Sequence, residues 1–363
     1  MKRILTTATA LVAVATTVQA GGVERSVQSV AILFEQGRYA ELSFGNFSPD
    51  VSGTAFGRSS GDMSSTYNSF SLGYKMDIGE RMALAVIVDE PIGADVAYPS
   101  VPGATSYALA GTTADLESLS LTALLRYKLE NNVSVYGGLR VQSSEGTVNI
   151  KFPAFGIADY RMSTSRETDL GYVVGVAWEN PEIAARVALT YNSAITHDLQ
   201  STETGLGPAL NSSFETEVPQ SVNLEFQTGV AEDTLLFGSI RWVDWSAFTI
   251  APPRYLAVVN NELVAYPKDR VTYNLGIGRR FNEQWSGAAT IGYEPSDGEI
   301  TGNLGPTDGM ASFGLAATYT IDNTEITAGV RYVDIGDATT EGLNAKFQNN
   351  DGIGVGIRIG YTF

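Results

Sequence analysis

Arginine residues recur at alternate positions within apolar stretches of this sequence, which places them on one face of an extended chain. A guanidinium group binds a carboxylate through two parallel N–H donors, so these side chains could hold an anionic headgroup. The candidates that we select for this role are Arg140, Arg186 and Arg280. A second interpretation stays open, in which the same arginines form a structural network of charges that fills a narrow interior.

Chemistry that depends on thiols, histidine clusters or phosphate-binding loops has little basis in this chain. Its 363 residues include no cysteine and one histidine, which excludes thiol nucleophiles, Cys-based zinc sites and most histidine-based metal sites. His197, beside Asp198, is predicted to be a solvated residue at a strand end and not a catalytic base. The glycine-rich run 352–356 alternates with apolar residues and precedes no helix, unlike a phosphate-binding loop. We therefore expect no enzyme activity, no metal and no cofactor.

The charge balance restricts the classes of protein further. The chain has 23 Lys+Arg against 40 Asp+Glu, a formal net charge of −17, which disfavours a nucleic-acid partner. Charged residues make up only 17%, yet no apolar run approaches the ~20 residues of a membrane helix. A membrane protein built of several helices is therefore excluded.

The dominant pattern after residue 37 is an alternation of apolar and polar residues with a period of two, which predicts β-strands. The final strand shows it most clearly, because one face is wholly apolar and the other is small or charged. The apolar face carries Ile353, Val355, Ile357, Ile359, Tyr361 and Phe363. Arg358 lies on the opposite face with three glycines and a threonine. The pattern recurs at 119–129, where Leu124 is the one exception, and at 170–179 and 271–280.

We identify fourteen such strands between residues 37 and 363, and the connections between them alternate in length. Those after even-numbered strands are short, such as 78–80 and 130–131, whereas those after odd-numbered strands are long, such as 144–167 and 195–216. Short turns on one side and long loops on the other are typical of an outer-membrane barrel. The sequence therefore predicts an all-β protein, a 14-stranded antiparallel transmembrane β-barrel over 37–363.

Backbone physics supports a closed barrel in the outer membrane of a Gram-negative bacterium. In hydrocarbon every N–H and C=O must be paired within the protein, so a sheet must close and leave no edge. The apolar face then meets lipid and lipopolysaccharide, and the polar face lines a lumen. The C-terminal Tyr361-Thr362-Phe363 resembles the signal that the barrel-assembly machinery recognises. Aromatic residues at strand ends suit the two interfacial girdles: Tyr74, Tyr127, Trp178, Tyr191, Tyr293, Tyr319, Tyr332, Tyr361 and Phe363.

The N-terminal 36 residues divide into two parts. Residues 1–20 are predicted to be a signal peptide, because a basic start and an apolar stretch precede small residues at a cleavage position after Ala20. Residues 21–36 are predicted to be a plug that folds into the barrel, with a disordered tail as the alternative. Their apolar residues have a helix-like spacing, and the candidate plug residues are Val23, Val27, Val30 and Phe34.

Several of the predicted outer loops are unusually apolar. Exposed apolar surface commonly marks a binding site, so these loops could collect a hydrophobic ligand. The candidate residues are Phe152, Phe155, Ile157, Phe248 and Tyr255. The alternative is that the same loops pack on one another as a lid, and the sequence does not distinguish the two.

Several segments together resemble the outer-membrane long-chain fatty-acid transporter family, the FadL/TodX group. The segment VPQSVNL at 218–224, followed by RWVDWSAF at 241–248, is similar to the family's Pro-x-Ser strand and Trp-Ser-x-Phe strand end. GYEPS at 292–296 with GPTD at 305–308 resembles the penultimate long loop, and 43–53 resembles the first strand and loop. The resemblance covers most of the chain.

This resemblance implies a barrel that is plugged by an N-terminal hatch and takes up hydrophobic compounds passively. Long-chain fatty acids are the first expected substrate and aromatic hydrocarbons the second; they would be caught by apolar outer loops and would leave sideways through the wall near a kinked strand. A monomer is expected. The hatch at 21–36 is short and lacks the Asn-Pro-Ala segment that usually ends it. The alternative function is a general or anion-favouring diffusion porin, against which the apolar loops and the plug argue.

Overall fold

A computed structural model of the protein describes residues 23–100, 107–153 and 156–363. The predicted signal peptide at 1–20 lies outside the described residues. Within them, no helix is long and apolar enough to cross a membrane.

Fourteen antiparallel strands close into a barrel, as the sequence predicts. The first strand pairs with the second and with the last, Tyr39 lying opposite both Lys75 and Thr362. The barrel strands are β1 (Tyr39–Asp50), β2 (Tyr67–Ile78), β3 (Met82–Asp89), β4 (Thr113–Lys128), β5 (Val133–Phe152), β6 (Glu167–Asn180), β7 (Ala185–Asn192), β8 (Ser221–Ala231), β9 (Thr234–Val243), β10 (Arg270–Arg280), β11 (Trp285–Glu294), β12 (Met310–Ile321), β13 (Thr324–Ile335) and β14 (Asn350–Thr362).

The alternation places the apolar residues on the outside of the barrel. In β14, Ile357 and Ile359 are 41% and 42% exposed, whereas Arg358 between them is 3% exposed. An arginine that faces lipid near the bilayer midplane destabilises a barrel by about 2–4 kcal/mol. Arg358 is therefore expected to point into the lumen and away from lipid. Leu124 breaks the pattern of β4 because it points inward and packs in a buried cluster with Val30 and Leu33.

The long connections form an outer cap on one side of the barrel, and they contain more structure than the sequence predicts. The predicted loop 144–167 consists largely of the end of β5 and a further strand, and 195–216 forms a hairpin. These additions bury residues inside the cap, including Tyr160 and Leu199. The smaller strands are Gly53–Ala55, Arg58–Ser59, Ala94–Ala97, Ile157–Thr164, Ile195–Thr204, Leu210–Val218, Thr249–Ile250, Val264–Ala265, Ile300–Thr301, Ala338–Thr340 and Lys346–Phe347.

Helical structure is limited to short pieces in the described residues. The one α-helix, α1, spans Pro253–Val259 in the connection between β9 and β10. Three 3₁₀ turns cover Ala31–Phe34, Pro181–Ile183 and Trp245–Ala247. The helix-like spacing before β1 thus corresponds to a single four-residue turn, Ala31–Phe34.

Candidate functional site

The N-terminal segment, Val23–Arg38, lies inside the barrel and is anchored by a buried ion pair. Glu24 accepts hydrogen bonds from Nε and Nη2 of Arg241 on β9, the first at 2.7 Å. The two residues are 4% exposed each. Arg241 also donates to Ser221 (3.0 Å) and Asn223 (2.5 Å) on β8, so its charge is held from three sides.

Hydroxyl and carbonyl groups of the segment make a second set of contacts with the wall. Ser26 Oγ donates to Asp89 at the end of β3 (2.5 Å), and Ser29 Oγ donates to Glu225 on β8 (2.6 Å). These bonds satisfy buried carboxylates with hydroxyl donors. The segment is therefore docked on two opposite parts of the wall.

The predicted plug residues divide between two apolar clusters and the cavity wall. Val30 is buried with Leu33, and Phe34 packs beside them. The Phe34 ring lies between the guanidinium groups of Arg126 (4.4 Å) and Arg186 (4.5 Å), a cation–π contact on each face. Val23 contacts a separate cluster around Trp245 and Phe248. Val27 lines a cavity, and its carbonyl accepts a hydrogen bond from Asn223 (2.8 Å).

The barrel wall is interrupted between β2 and β3. Ladder pairing joins Leu72–Ile78 of β2 to Met82–Val88 of β3, but the outer part of β2, residues 67–71, has no strand partner on that side among the described residues. After Asp89 the chain turns inward, and the carbonyl of Pro91 accepts from the backbone N–H groups of Arg25 and Ser26. We call this interruption the wall gap.

Two side chains of the described residues reach across the wall gap, and the first is Arg25, which pairs with Asp95 and lies over the ring of Tyr67 on β2 at 4.0 Å; the second is Glu90. The backbone N–H of Phe70, which faces the missing strand, donates to the carboxylate of Glu90 at 3.1 Å. A proline cannot donate to a ladder, so the sequence Asp89-Glu90-Pro91 ends the pairing where the strand bends. The sequence analysis did not identify this kink, although Pro91 directly after an apolar strand was a signal for it.

A cavity of about 210 Å³ lies in the lumen beside the wall gap. Its walls are the N-terminal segment on one side and the inner faces of the barrel strands on the other. Ser69, Ser71, Asp89 and Glu90 bring it to the edge of the wall gap. Apolar side chains that line it include Ile32, Ile87 and Phe237. The space is thus of mixed polarity and borders the weakest part of the wall.

The predicted arginines occupy three different places. Arg140 is 5% exposed in the lumen, where Nε donates to Thr122 (2.9 Å). Arg186 is 8% exposed and stacks on Phe34. Arg280 lies at the rim of the short turns, where Nε donates to Asp233 (2.9 Å). None of the three is among the residues that line the cavity, and their role in ligand binding stays a prediction.

The apolar residues predicted in the outer loops pack on one another. Phe152 and Tyr255 flank a buried cluster that contains Ile157, and the ring of Tyr255 lies 5.1 Å from that of Tyr160. Burial raises the pKa of Tyr255. Phe248 is buried in the neighbouring cluster with Trp245. Phe155 lies outside the described residues. The sequence left two interpretations of these loops, a ligand-binding surface or a lid of loops packed on one another. The observed positions are those of loops packed on one another.

Helix α1 is fixed in the outer cap by an acidic side chain. Glu203 accepts from the backbone N–H groups of Arg254 and Tyr255, both at 3.0 Å, and from the hydroxyl of Tyr160 at 2.9 Å. A carboxylate at the first turn of a helix satisfies N–H groups that have no partner within the helix. Two apolar side chains of α1 are exposed, Leu256 at 40% and Val258 at 56%.

The prediction for His197 was wrong, because its side chain is completely buried. Nδ1 lies 2.8 Å from a carboxylate oxygen of Asp169 on β6, and Nε2 lies 3.3 Å from the hydroxyl of Ser144 on β5. The histidine joins the hairpin Ile195–Thr204 to the barrel wall. It does not line the cavity beside the wall gap.

Comparisons with known proteins agree with this architecture. Residues 47–358 match the family described as outer membrane protein transport protein (OMPP1/FadL/TodX). A search of the curated proteins found no match. Because the family match spans most of the chain, it identifies the family directly.

Solved structures show the same fold at low sequence identity. A FadL homologue of Pseudomonas aeruginosa is 15% identical over 91% of each chain, with a TM-score of 0.76. The toluene transporter TodX of P. putida is 11% identical over 90% of each chain, with a TM-score of 0.63. The toluene transporter TbuX of Ralstonia pickettii is 13% identical over 90% of each chain, with a TM-score of 0.62. The chain therefore belongs to the OMPP1/FadL/TodX family of outer-membrane transport proteins, and it is an outer-membrane transporter of hydrophobic compounds.

Proposed function

We propose that this protein takes up long-chain fatty acids passively and releases them sideways into the outer membrane through the wall gap between β2 and β3. The observation that carries the proposal is the cavity of about 210 Å³ that lies beside the wall gap and is lined by both apolar and polar side chains. An amphiphilic ligand matches such a lining, because its chain and its headgroup need different surroundings. The toluene transporters TodX and TbuX have the same fold, so aromatic hydrocarbons are the second class of substrate.

Entry begins at the outer cap in this proposal. The exposed face of α1, with Leu256 and Val258, offers apolar surface to a ligand that arrives from outside. Below it lie the cluster of Ile157 and Tyr160 and the cluster of Trp245 and Phe248. The partly buried side chains beside these clusters, Phe152, Tyr255 and Tyr266, are the apolar surfaces that a hydrophobic molecule would contact on its way into the lumen.

The N-terminal segment acts as a plug that stays in place. Its ion pair with Arg241 is buried, and removal of one partner from such a pair typically costs about 3–5 kcal/mol. Because the segment occupies the lumen, the path of lower cost leads through the wall. At the gap, the bond of Glu90 to the Phe70 N–H is replaceable by water or ligand.

The test fills the cavity at the wall gap with a bulky side chain. Ser71 lines the cavity, so Ser71→Trp should obstruct the gap and lower oleate uptake by roughly tenfold or more, since overpacking leaves no room for the ligand. The matched control is Leu72→Trp on the same strand, because Leu72 faces lipid and is 49% exposed. The assay measures uptake of labelled oleate, and growth on oleate, in a host that lacks its own transporter. Equal uptake by the two variants, at equal levels of folded barrel, would contradict a sideways exit here.

A further inference from the structure

A second cavity, of about 120 Å³, lies between the outer cap and the N-terminal segment, and we call it the outer cavity. Its lining is largely apolar and includes Phe47, Val51, Met63, Val96 and Leu304. Because it lies on the side of the cap, a ligand that enters from outside would meet it before it meets the cavity beside the wall gap.

Two segments of the chain pass from one cavity to the other at the same level. The N-terminal segment contributes residues 23–25 to the outer cavity and residues 25–27 to the cavity beside the wall gap. The chain that turns inward after β3 contributes residues 93–96 to the outer cavity and residues 89–90 to the other. Arg25 lines both cavities, so it forms part of the partition between them.

The side chain of Arg25 is held in this partition from two sides. It forms an ion pair with Asp95 on the inward-turned chain, and its guanidinium carbon lies 4.0 Å from the centre of the Tyr67 ring on β2. The face of an aromatic ring attracts a cation, so both contacts stabilise the same position. The backbone N–H of Arg25 donates to the carbonyl of Pro91 at 2.9 Å. The side chain therefore bridges the two edges of the wall gap at the level where the cavities meet.

Gly93 provides the space that the guanidinium group occupies. A Cβ atom added to Gly93 would lie 2.6 Å from Nε and 2.7 Å from Cζ of Arg25. These distances are shorter than van der Waals contact, so a larger residue at this position would displace the guanidinium group. The glycine thus lets the arginine pack directly on the backbone of the opposite segment.

We propose that Arg25, held between Asp95 and the ring of Tyr67, is the constriction that a hydrophobic ligand displaces as it passes from the outer cavity to the cavity beside the wall gap. The inference rests on the proposed function and adds the residue that determines how wide a ligand can pass. The flexible stem of an arginine lets its head move aside while the backbone stays in place. A straight alkyl chain needs a smaller displacement than a branched one, so the constriction favours slender ligands.

The test uses thiol accessibility, because the chain has no cysteine of its own. One cysteine is introduced in the cavity beside the wall gap, by Ser239→Cys, or in the outer cavity as the matched control, by Ser64→Cys. Intact cells are treated with an anionic, membrane-impermeant methanethiosulfonate, and the rate of reaction of each thiol is measured.

Addition of Arg25→Ala should speed the reaction in the Ser239→Cys background by about tenfold or more, since the rate of thiol exchange depends on access. The rate in the Ser64→Cys background should be unchanged. Loss of a positive charge would by itself slow the approach of an anionic reagent, so a faster reaction reports the removal of an obstruction.

A second variant displaces the arginine and keeps its charge. Gly93→Ala should speed the same reaction by a smaller factor than Arg25→Ala does. Folding is monitored by heat-dependent migration in gels, and docking of the N-terminal segment by limited proteolysis. An unchanged rate in folded Arg25→Ala barrels would overturn the proposal. A faster reaction confined to barrels whose N-terminal segment is cleaved would also overturn it, because the segment and not the side chain would then close the path.

Uptake measurements separate this inference from the proposed function. Arg25→Ala should take up labelled oleate faster than the wild-type protein, and uptake of the methyl-branched acid phytanate should increase by a larger factor. Equal factors for the two acids would contradict a role in ligand width. If the wild-type protein takes up neither acid while thiol access still depends on Arg25, the proposed function fails and the constriction stands.

Discussion

Strand pairing in the described part of the barrel wall is interrupted at the wall gap and also between β6 and β7, and these two interruptions are closed in different ways. At the wall gap, residues 67–71 face a strand that has turned inward, and the Phe70 N–H donates to Glu90 across the opening. The ladder between β6 and β7 ends at Val173. In the outer cap, the small strands Ile157–Thr164 and Ile195–Thr204 pair with each other again, over Ser201–Thr204. We call this second interruption the seam.

The seam is filled by buried side chains, whereas the wall gap borders open space. In the seam, His197 bridges Asp169 and Ser144, and the N–H of Tyr172 donates to Ser193 Oγ at 2.9 Å. The cavity of about 210 Å³ borders the wall gap, and neither His197 nor Asp169 is among its lining residues. An interruption of pairing is therefore not by itself an opening, since backbone groups that lose ladder partners can be satisfied by side chains. The presence of a cavity is what marks the wall gap as a path.

The largest expected effect concerns the anchor beside the wall gap. Arg241→Met should leave the buried carboxylate of Glu24 without its partner and destabilise the docked N-terminal segment by about 3–5 kcal/mol. Limited proteolysis from the periplasmic side should then cleave the segment in folded barrels. The double variant Glu24→Gln/Arg241→Met should regain most of the protection, because no buried charge remains. Unchanged protection in the single variant would show that the ion pair does not hold the segment.

A smaller effect is expected at the seam. His197→Ala removes the partner of Asp169 and of the buried Ser144 hydroxyl, which should cost about 1–3 kcal/mol. The variant should lose its folded gel migration at a lower temperature than the wild-type barrel, while oleate uptake is unchanged. The matched control, Thr196→Ala, changes the adjacent outward-facing side chain and should leave the melting temperature unchanged. Loss of uptake in a fully folded His197→Ala barrel would mean that the seam, too, is part of the path.

The barrel itself could be predicted from the sequence because it depends on local pattern. A period of two fixes which side chains meet lipid, and the alternation of short and long connections fixes the topology. Leu124, the exception to the alternation at 119–129, was visible in the sequence, and the structure explains it by its contact with the N-terminal segment.

The site was less predictable because its contacts join residues that are distant in sequence. The partners of His197 lie 28 and 53 residues away, so its neighbours in sequence indicated a solvated position that the fold does not give it. The alternation of side chains places both Arg280 and Arg331 on the inner face of the barrel. It does not indicate how far along the barrel axis each of them lies. Arg280 lies at the rim with Asp233, whereas Arg331 lines the cavity.

Photoaffinity labelling tests the central claim, a sideways exit at the wall gap, most directly. A fatty acid with a diazirine near the end of its chain would be supplied to the wild-type barrel in outer-membrane vesicles, and the labelled residues would be identified by mass spectrometry. We expect labels at residues 67–71 and 89–93. Labels concentrated at the seam, around Asp169 and His197, or at the short turns beyond an undocked N-terminal segment, would contradict the account.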